Sequence, residues 1–376
     1  VDFSFTEEQQ MLLESTRRWL ADRYSFEARR WIIASREGYS RELWQQLADL
    51  GLLSLNVPEE DGGLAGGPIA TLVVSMALGE ALVVEPYLSS AVLATRAIAA
   101  LGSSQQRSQW LAPLAAGEII AVLAHEERGR SQPHTPPDTW ASLSQAGTWR
   151  INGRKAAVYH APIANALLVS ARTGDSLGAE WGLFAVPRDG AGVTLQCYTT
   201  VDGQRAADIE FDNVEVSADA RIGGDVSEQL PIVLDYGLAA LCAEALGSLE
   251  RLLAMTLEYT RARVQFGTPI ARFQALQHRM ADMLTHVEQA RSMAYLAASR
   301  CDSADPMERA AALSSAKVII GQAARFVGQQ AVQLHGGMGV TDELAVSHYF
   351  KRLLAFEVRF GSTEAHLERY AALTLS

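Results

Sequence analysis

Along the first 120 residues, apolar and polar positions follow a helical period. Thr6 and Gln9 are spaced as a capping box at the head of TEEQQMLLESTRRWLADR, where Leu12, Leu13, Thr16, Trp19 and Leu20 recur at helical spacing. A second helix is predicted through ELWQQLADLG, ending near Gly51. LLSLNVPEEDGG after it reads as an extended apolar piece followed by a Pro/Gly-rich turn. Further helices are predicted from Pro68 to Glu80, from Ser89 to Leu101 and from Ser103 to Gly117. Between residues 120 and 225 the period shortens. TWRINGRKAAVYH sets Asn152-Gly153 between two short extended runs, a hairpin signal, and ALLVSART, WGLFAVP, GVTLQC and ADIEFDNVEV follow at strand length. From about residue 230 the helical period returns over three long segments with few breakers, the pattern of antiparallel bundle helices. The predicted fold class is α+β, with a helical region at 1–119, a β region at 120–225 and a helical bundle at 226–376.

Composition narrows the function classes. At 376 residues, the chain divides into roughly two or three domains of ordinary size. Its net charge of -11 argues against nucleic-acid and membrane surfaces, both of which need concentrated positive charge. An anionic substrate remains compatible, because it needs only a local basic pocket. Cys197, Cys242 and Cys301 are too few and too scattered for a metal knuckle or a disulfide framework, and fit a reducing compartment. The longest apolar-looking run, Ile69 to Val84, carries Glu80 and falls short of the roughly 20 residues of a membrane span. A soluble, cytoplasmic protein is expected.

Local motifs leave several readings open. HGGMG at 335–339 lacks the preceding strand and the spacing of a dinucleotide fold, so it reads either as a helix terminus with a tight turn or as backbone amides facing a pyrophosphate. In RARVQFG at 261–267, Arg261 and Arg263 either complement a helix dipole or offer a guanidinium to a phosphate. His125, His160, His335 and His348 lie in separate segments without HExxH spacing, and no metal is expected. No serine stands in a GxSxG elbow.

Several strings, in their order and spacing, resemble the acyl-CoA dehydrogenase family over essentially the whole chain. They are LGLLSLNVPEEDGG at 50–63, INGRKAAVYHAPIANALLVSART at 151–173, FDNVEV at 211–216, RARVQFGTPIARFQALQHRMADM at 261–283 and AVQLHGGMGVTDE at 331–343. The resemblance implies an N-terminal helical domain, a middle β domain and a C-terminal four-helix bundle. It also implies FAD-dependent removal of two hydrogens from an acyl-CoA thioester, with reoxidation by an electron-transfer flavoprotein. In the family a carboxylate takes the α proton while the flavin accepts the β hydride, and the cofactor spans two subunits. Arg263, Phe266, Gln274, Gln333, Gly336 and Gly337 match the positions that a neighbouring subunit contributes to FAD.

Other positions depart from the family. Where members carry Thr-Glu-Pro and Gly-Ser-Asp strings, this chain has His125-Glu126-Glu127 and Gly129-Arg130-Ser131; where they carry Trp-Ile-Thr beside the flavin, it has Val158-Tyr159-His160. The usual base is a glutamate at a position held here by Phe360, and the alternative location used by some members is Gly237. Glu357, Glu364 and Asp235 are the nearby carboxylates, although three residues of helix displace a group by about 4.5 Å. The resemblance therefore points to the non-catalytic, smaller subunit of an α2β2 acyl-CoA dehydrogenase, paired with a catalytic homologue and acting on steroid side-chain or dicarboxylic substrates. The competing readings are a self-sufficient homo-oligomer with a relocated carboxylate and a flavin-free structural or regulatory paralogue.

Overall fold

The computed structural model describes residues 5–129, 134–174 and 180–374. Helices α1 (Glu7–Arg23), α2 (Phe26–Ala34) and α3 (Arg41–Asp49) lead through 3-10 turns at Leu52–Ser54 and Glu59–Asp61 to α4 (Gly67–Glu80). A π-helical segment, Tyr87–Ala94, runs directly into α5 (Thr95–Leu101), and α6 (Ser104–Ala115) follows. Next come β1 (Ala121–Ala124), β2 (Trp140–Leu143), β3 (Trp149–Tyr159), β4 (Ala166–Thr173), β5 (Glu180–Pro187), β6 (Val193–Thr199), β7 (Arg205–Val216) and β8 (Arg221–Ile222). The chain closes with α7 (Leu230–Ala262), β9 (Val264–Gln265), β10 (Thr268–Pro269), α8 (Gln274–Arg300), α9 (Pro306–His335), α10 (Ala345–Val358) and α11 (Thr363–Thr374). The architecture is α+β, and two compact units cut across the three regions read from the pattern. One comprises Val1–Trp31, Pro68–Val83 and Leu238–Ser376, the other Ile32–Gly67 and Val84–Gly237.

The first unit is helical. Thr6 and Gln9 form the capping box expected for α1, each side chain bonding the other's backbone N–H. Helix α4 is apolar on all sides and buried from Ala70 to Gly79, as a helix without a polar face must be. It meets α7 through glycines: a Cβ built on Gly79 would lie 2.0 Å from the Glu244 carbonyl oxygen, and one on Gly247 2.0 Å from that of Met76. The Ser248 hydroxyl donates to the Gly79 carbonyl at 3.0 Å in the same crossing. Buried cations are matched. Arg352 donates to Glu244 at 2.6 Å and to the Val83 carbonyl, while Arg29 donates to the Leu82 carbonyl at 2.8 Å and contacts His348 Nδ1 at 2.9 Å. Helix α7, longer than the run singled out from the pattern, is long and apolar enough to cross a bilayer, and 89% of its most apolar window is buried within the protein.

The second unit is built on one mixed sheet, in the order β6-β7-β3-β2-β4-β5-β8, with β1 also on β4. Strand β4 pairs antiparallel with β5 on one side, and on the other runs parallel to β1 at Ala166–Val169 and to β2 at Arg172–Thr173. The hairpin expected at Asn152-Gly153 does not form. Strand β3 continues through it with a register shift against β7, because Asn152 Oδ1 accepts from the Asn213 N–H at 2.8 Å. Gly153 (φ 143°) leaves room where a Cβ would fall 2.6 Å from Thr139 Cα. The glycine therefore serves a bulge and a close approach instead of a turn. The LLSLNV segment is likewise not extended. After Gly51 (φ 76°) it turns as a 3-10 helix, burying Leu52, Leu53, Leu55 and Val57.

Candidate functional site

In the helical unit, the end of α7 delivers the chain into a two-residue hairpin. Phe266 (φ 53°) and Gly267 (φ 79°) form its tip, and the Ile270 N–H donates to the Arg263 carbonyl at 2.8 Å to close its base. A left-handed conformation is unfavourable for a bulky side chain and is retained where the surroundings require it. Phe266 is 92% exposed, its ring edge-on to Phe273 with centroids 6.1 Å apart. Gln274 opens α8 immediately after Phe273.

The end of α9 reaches the same region. His335 closes the helix, and Gly336 (φ 62°, ψ -143°) adopts a conformation open essentially to glycine alone. Tyr259, one turn before Arg263, stacks on His335 with centroids 4.3 Å apart, and its hydroxyl donates to the His335 carbonyl at 3.5 Å. The structure thus brings Arg263, Phe266, Gln274, Gln333, Gly336 and Gly337 to adjoining segments, all exposed. Nothing lies within 4 Å of a Cβ built on Gly336 or Gly337. The chemistry of this donor set fits FAD: an exposed guanidinium, two exposed carboxamides, open backbone at a diglycine and an exposed aromatic ring.

Phe360 lies in the same unit, 92% buried between α10 and α11, also left-handed at φ 56°. Its loop is held by groups on other segments. Buried Lys317 donates to the Phe356 carbonyl and, at 2.9 Å, to that of Arg359, and His366 Nε2 donates to the Phe360 carbonyl at 2.7 Å. Of the nearby carboxylates, Glu357 accepts from the Thr363 N–H at 3.3 Å and faces Arg325 at 3.5 Å. Glu364 is exposed, with its carboxyl held below the usual range by its own backbone N–H, the Ser362 hydroxyl and Arg325. Gly237 and Asp235 belong to the other unit. Both are buried on α7, with Asp235 Oδ1 3.1 Å from His134 Nε2.

The β-domain positions are engaged internally. Ser170 Oγ contacts His125 Nδ1 at 2.9 Å, and Lys155 Nζ donates to Glu127 at 2.7 Å and to Ser170 at 3.1 Å. Burial pushes the Glu127 carboxyl up, but the Lys155 ammonium and the N–H groups of Thr139 and Asp138 outweigh it and hold the pKa at about 2. Burial pulls Lys155 down to about 8 against the opposing pull of Glu127, so both remain charged at neutral pH. His160 (φ 63°) is fixed by Ser89 Oγ at 2.8 Å and the Val84 carbonyl at 2.9 Å. The backbone N–H of Ala157, two residues before Tyr159, donates to Asp208. Arg130 and Ser131 lie outside the described residues. Sequence reasoning missed Tyr259, Lys317 and His366. A lone lysine within the apolar run AKVII was the one visible signal among them.

Models of the acyl-CoA dehydrogenase N-terminal, middle and C-terminal domains match residues 6–118, 121–214 and 232–374. The chain is 33% identical over 341 residues to acyl-CoA dehydrogenase FadE27 of Mycobacterium tuberculosis, covering 88% of this chain and 87% of that protein. The ChsE4-ChsE5 complex from the same organism contains a chain that superposes with a TM-score of 0.89 at 31% identity, covering 99% of this chain and 98% of that one. A variant of the Tcur3481-Tcur3483 steroid acyl-CoA dehydrogenase gives a TM-score of 0.89 at 29% identity over 98% of both chains. Every region of the fold is accounted for by these matches, and the chain belongs to the acyl-CoA dehydrogenase family.

Proposed function

We propose that this chain is the non-catalytic subunit of a heteromeric, FAD-dependent acyl-CoA dehydrogenase, and that it completes the cofactor site of a catalytic homologue. The observation that carries this reading is an asymmetry within the chain. Six cofactor-side residues stand exposed on the helical unit, whereas both base positions hold side chains that cannot accept a proton, Phe360 and Gly237. Arg263 would neutralise phosphate charge, Gln274, Gln333 and the diglycine backbone would supply hydrogen bonds, and Phe266 would offer its ring face. Bound FAD supplies the acceptor for the hydride lost from the thioester, and an electron-transfer flavoprotein takes the electrons onward.

The relocated-base reading gains little support from the carboxylates. Glu357 is engaged by the Thr363 N–H and Arg325, and Glu364, also facing Arg325, has its carboxyl held below the usual range, which weakens it as a base. Asp235 is buried beside His134. Similarity to a two-component complex and to a steroid acyl-CoA dehydrogenase supports the heteromeric assembly and a bulky, steroid-derived acyl-CoA as its substrate.

The test is FAD per polypeptide, with subunit masses, in the native complex purified through a tag on this chain. One FAD for each pair of this chain with a distinct homologue is the expected result. One FAD per chain in a homo-oligomer would overturn the proposal and return attention to Glu357, Glu364 and Asp235. A native complex with no absorbance near 450 nm would instead favour the flavin-free paralogue.

A further inference from the structure

The cofactor-facing residues come from three separate segments, the hairpin after α7, the first turn of α8 and the turn after α9, so their mutual geometry needs a device of its own. Thr260 supplies one link, its hydroxyl 3.3 Å from Met280 Sδ, tying the end of α7 to α8. The turn after α9 folds back on its own helix at Gly339, where a Cβ would meet the Val332 carbonyl oxygen at 2.6 Å. That contact shapes the turn but leaves its distance from Arg263 unset.

We infer that Tyr259 and His335 form a bracket whose role is to position Arg263 against the Gly336-Gly337 backbone for a pyrophosphate-bearing ligand. The inference rests on the reading in which these residues face FAD. The Arg263 N–H donates to the Tyr259 carbonyl at 2.8 Å, so the guanidinium is carried one helical turn from the stacked ring. On the other side His335 immediately precedes Gly336. His335 is a buried residue, its ring inclined 26° to that of Tyr259 and held by Nδ1–H donation to the Ala331 carbonyl at 2.8 Å. Burial also lowers the His335 pKa, which keeps the ring neutral and suited to stacking. Two stacked rings set a face-to-face separation, and the Tyr259 hydroxyl on the His335 carbonyl limits their sliding, which suits a contact that must fix a distance. Neither ring need touch the ligand. Both are positioning residues.

The experiment measures FAD dissociation from the native complex at a temperature where circular dichroism shows every variant folded. Tyr259→Leu and His335→Leu should each raise the FAD Kd about tenfold or more, since binding groups misplaced by 1 Å lose much of their interaction. Tyr259→Phe, which keeps the ring, should stay within about twofold. Met283→Ala, at a buried site on α8, should lower the melting temperature without moving the Kd. If Arg263→Ala weakens FAD while Tyr259→Leu and His335→Leu do not, the bracket is refuted and the cofactor reading survives. If Arg263→Ala leaves the Kd unchanged, the cofactor reading fails and the bracket with it.

Discussion

Phe360 occupies a loop that its own side chain does not organise. Lys317 and His366 hold the backbone from 356 to 360 through carbonyl oxygens, and a left-handed φ is imposed on an aromatic residue that disfavours it. A side chain with no proton-accepting atom can contribute packing alone. Phe360→Leu is therefore expected to leave the turnover of the complex within about twofold, at a folding cost below about 1.5 kcal/mol. Loss of turnover with an unchanged melting temperature would return the chemistry to this loop. The buried pair of Glu127 with Lys155 makes stability pH-dependent. The Glu127 pKa of about 2 lies below its ordinary 4.5, so its contribution is full above pH 4.5 and is lost as pH falls toward 2. Glu127→Gln should destabilise the protein strongly at pH 7 by leaving the Lys155 ammonium unpaired, and the gap to wild type in urea midpoint should narrow below pH 4.5. A gap that stays constant down to pH 2 would contradict the assignment. At this scale short motifs singled out Arg263, Phe266, Gln274, Gln333, Gly336 and Gly337 as candidates, and the structure leaves all six exposed. Lys317 stood out only as a lone lysine in an apolar run, and the partners of Lys317, Tyr259 and His366 were not readable: those of the first two lie 39 or more residues away, and all three contacts are with backbone carbonyls or a ring face that no motif marks.

Helices were legible where local chemistry decides them. Thr6 and Gln9 announced α1 because a capping box is complete within four residues. Asn152-Gly153 misled for the converse reason. The dipeptide suits a turn, but the tertiary demand of Thr139 and Asn213 converted the same two residues into a bulge inside β3. The helix expected over Ser89–Leu101 is present, but the π-helical form of its first part, Tyr87–Ala94, was not legible, since its residues are uniformly buried and leave no polar face to mark the wider winding. The crossing of α4 and α7 separates local from tertiary control by the sign of a substitution. Helix propensity alone makes Gly79→Ala and Gly247→Ala stabilising by about 1 kcal/mol each. A methyl group 2.0 Å from a carbonyl oxygen cannot be accommodated without shifting a backbone, so both are expected to destabilise by about 1–3 kcal/mol or more. Urea denaturation of either variant decides the matter, and a raised midpoint would mean that the helices can separate freely.

For the whole molecule, linkage between folding and cofactor binding separates a donor of half a site from the owner of a whole one. A ligand stabilises a protein only through sites complete enough to bind it, by about 2.7 kcal/mol at one hundred times its Kd. The isolated chain presents Arg263, Gln274 and Gln333 beside Phe266, Met338 and Val340, all exposed, and on the proposed reading this constellation would offer FAD only one side of an enclosure. Its β-domain counterparts, His125, Glu127 and His160, are engaged in internal hydrogen bonds. Added FAD should therefore leave the melting temperature of the isolated chain unchanged. In the complex with the catalytic homologue, the same addition should raise it by several degrees, about 2–4 °C for each kcal/mol in a chain of this order of size. Arg263→Ala in this subunit should erase most of that rise although the partner is untouched, because on the proposed reading the charge neutralisation comes from this subunit. A full FAD-dependent rise in the isolated chain would instead mean that it encloses the cofactor by itself, and the exposed face around Phe266 would then need another purpose.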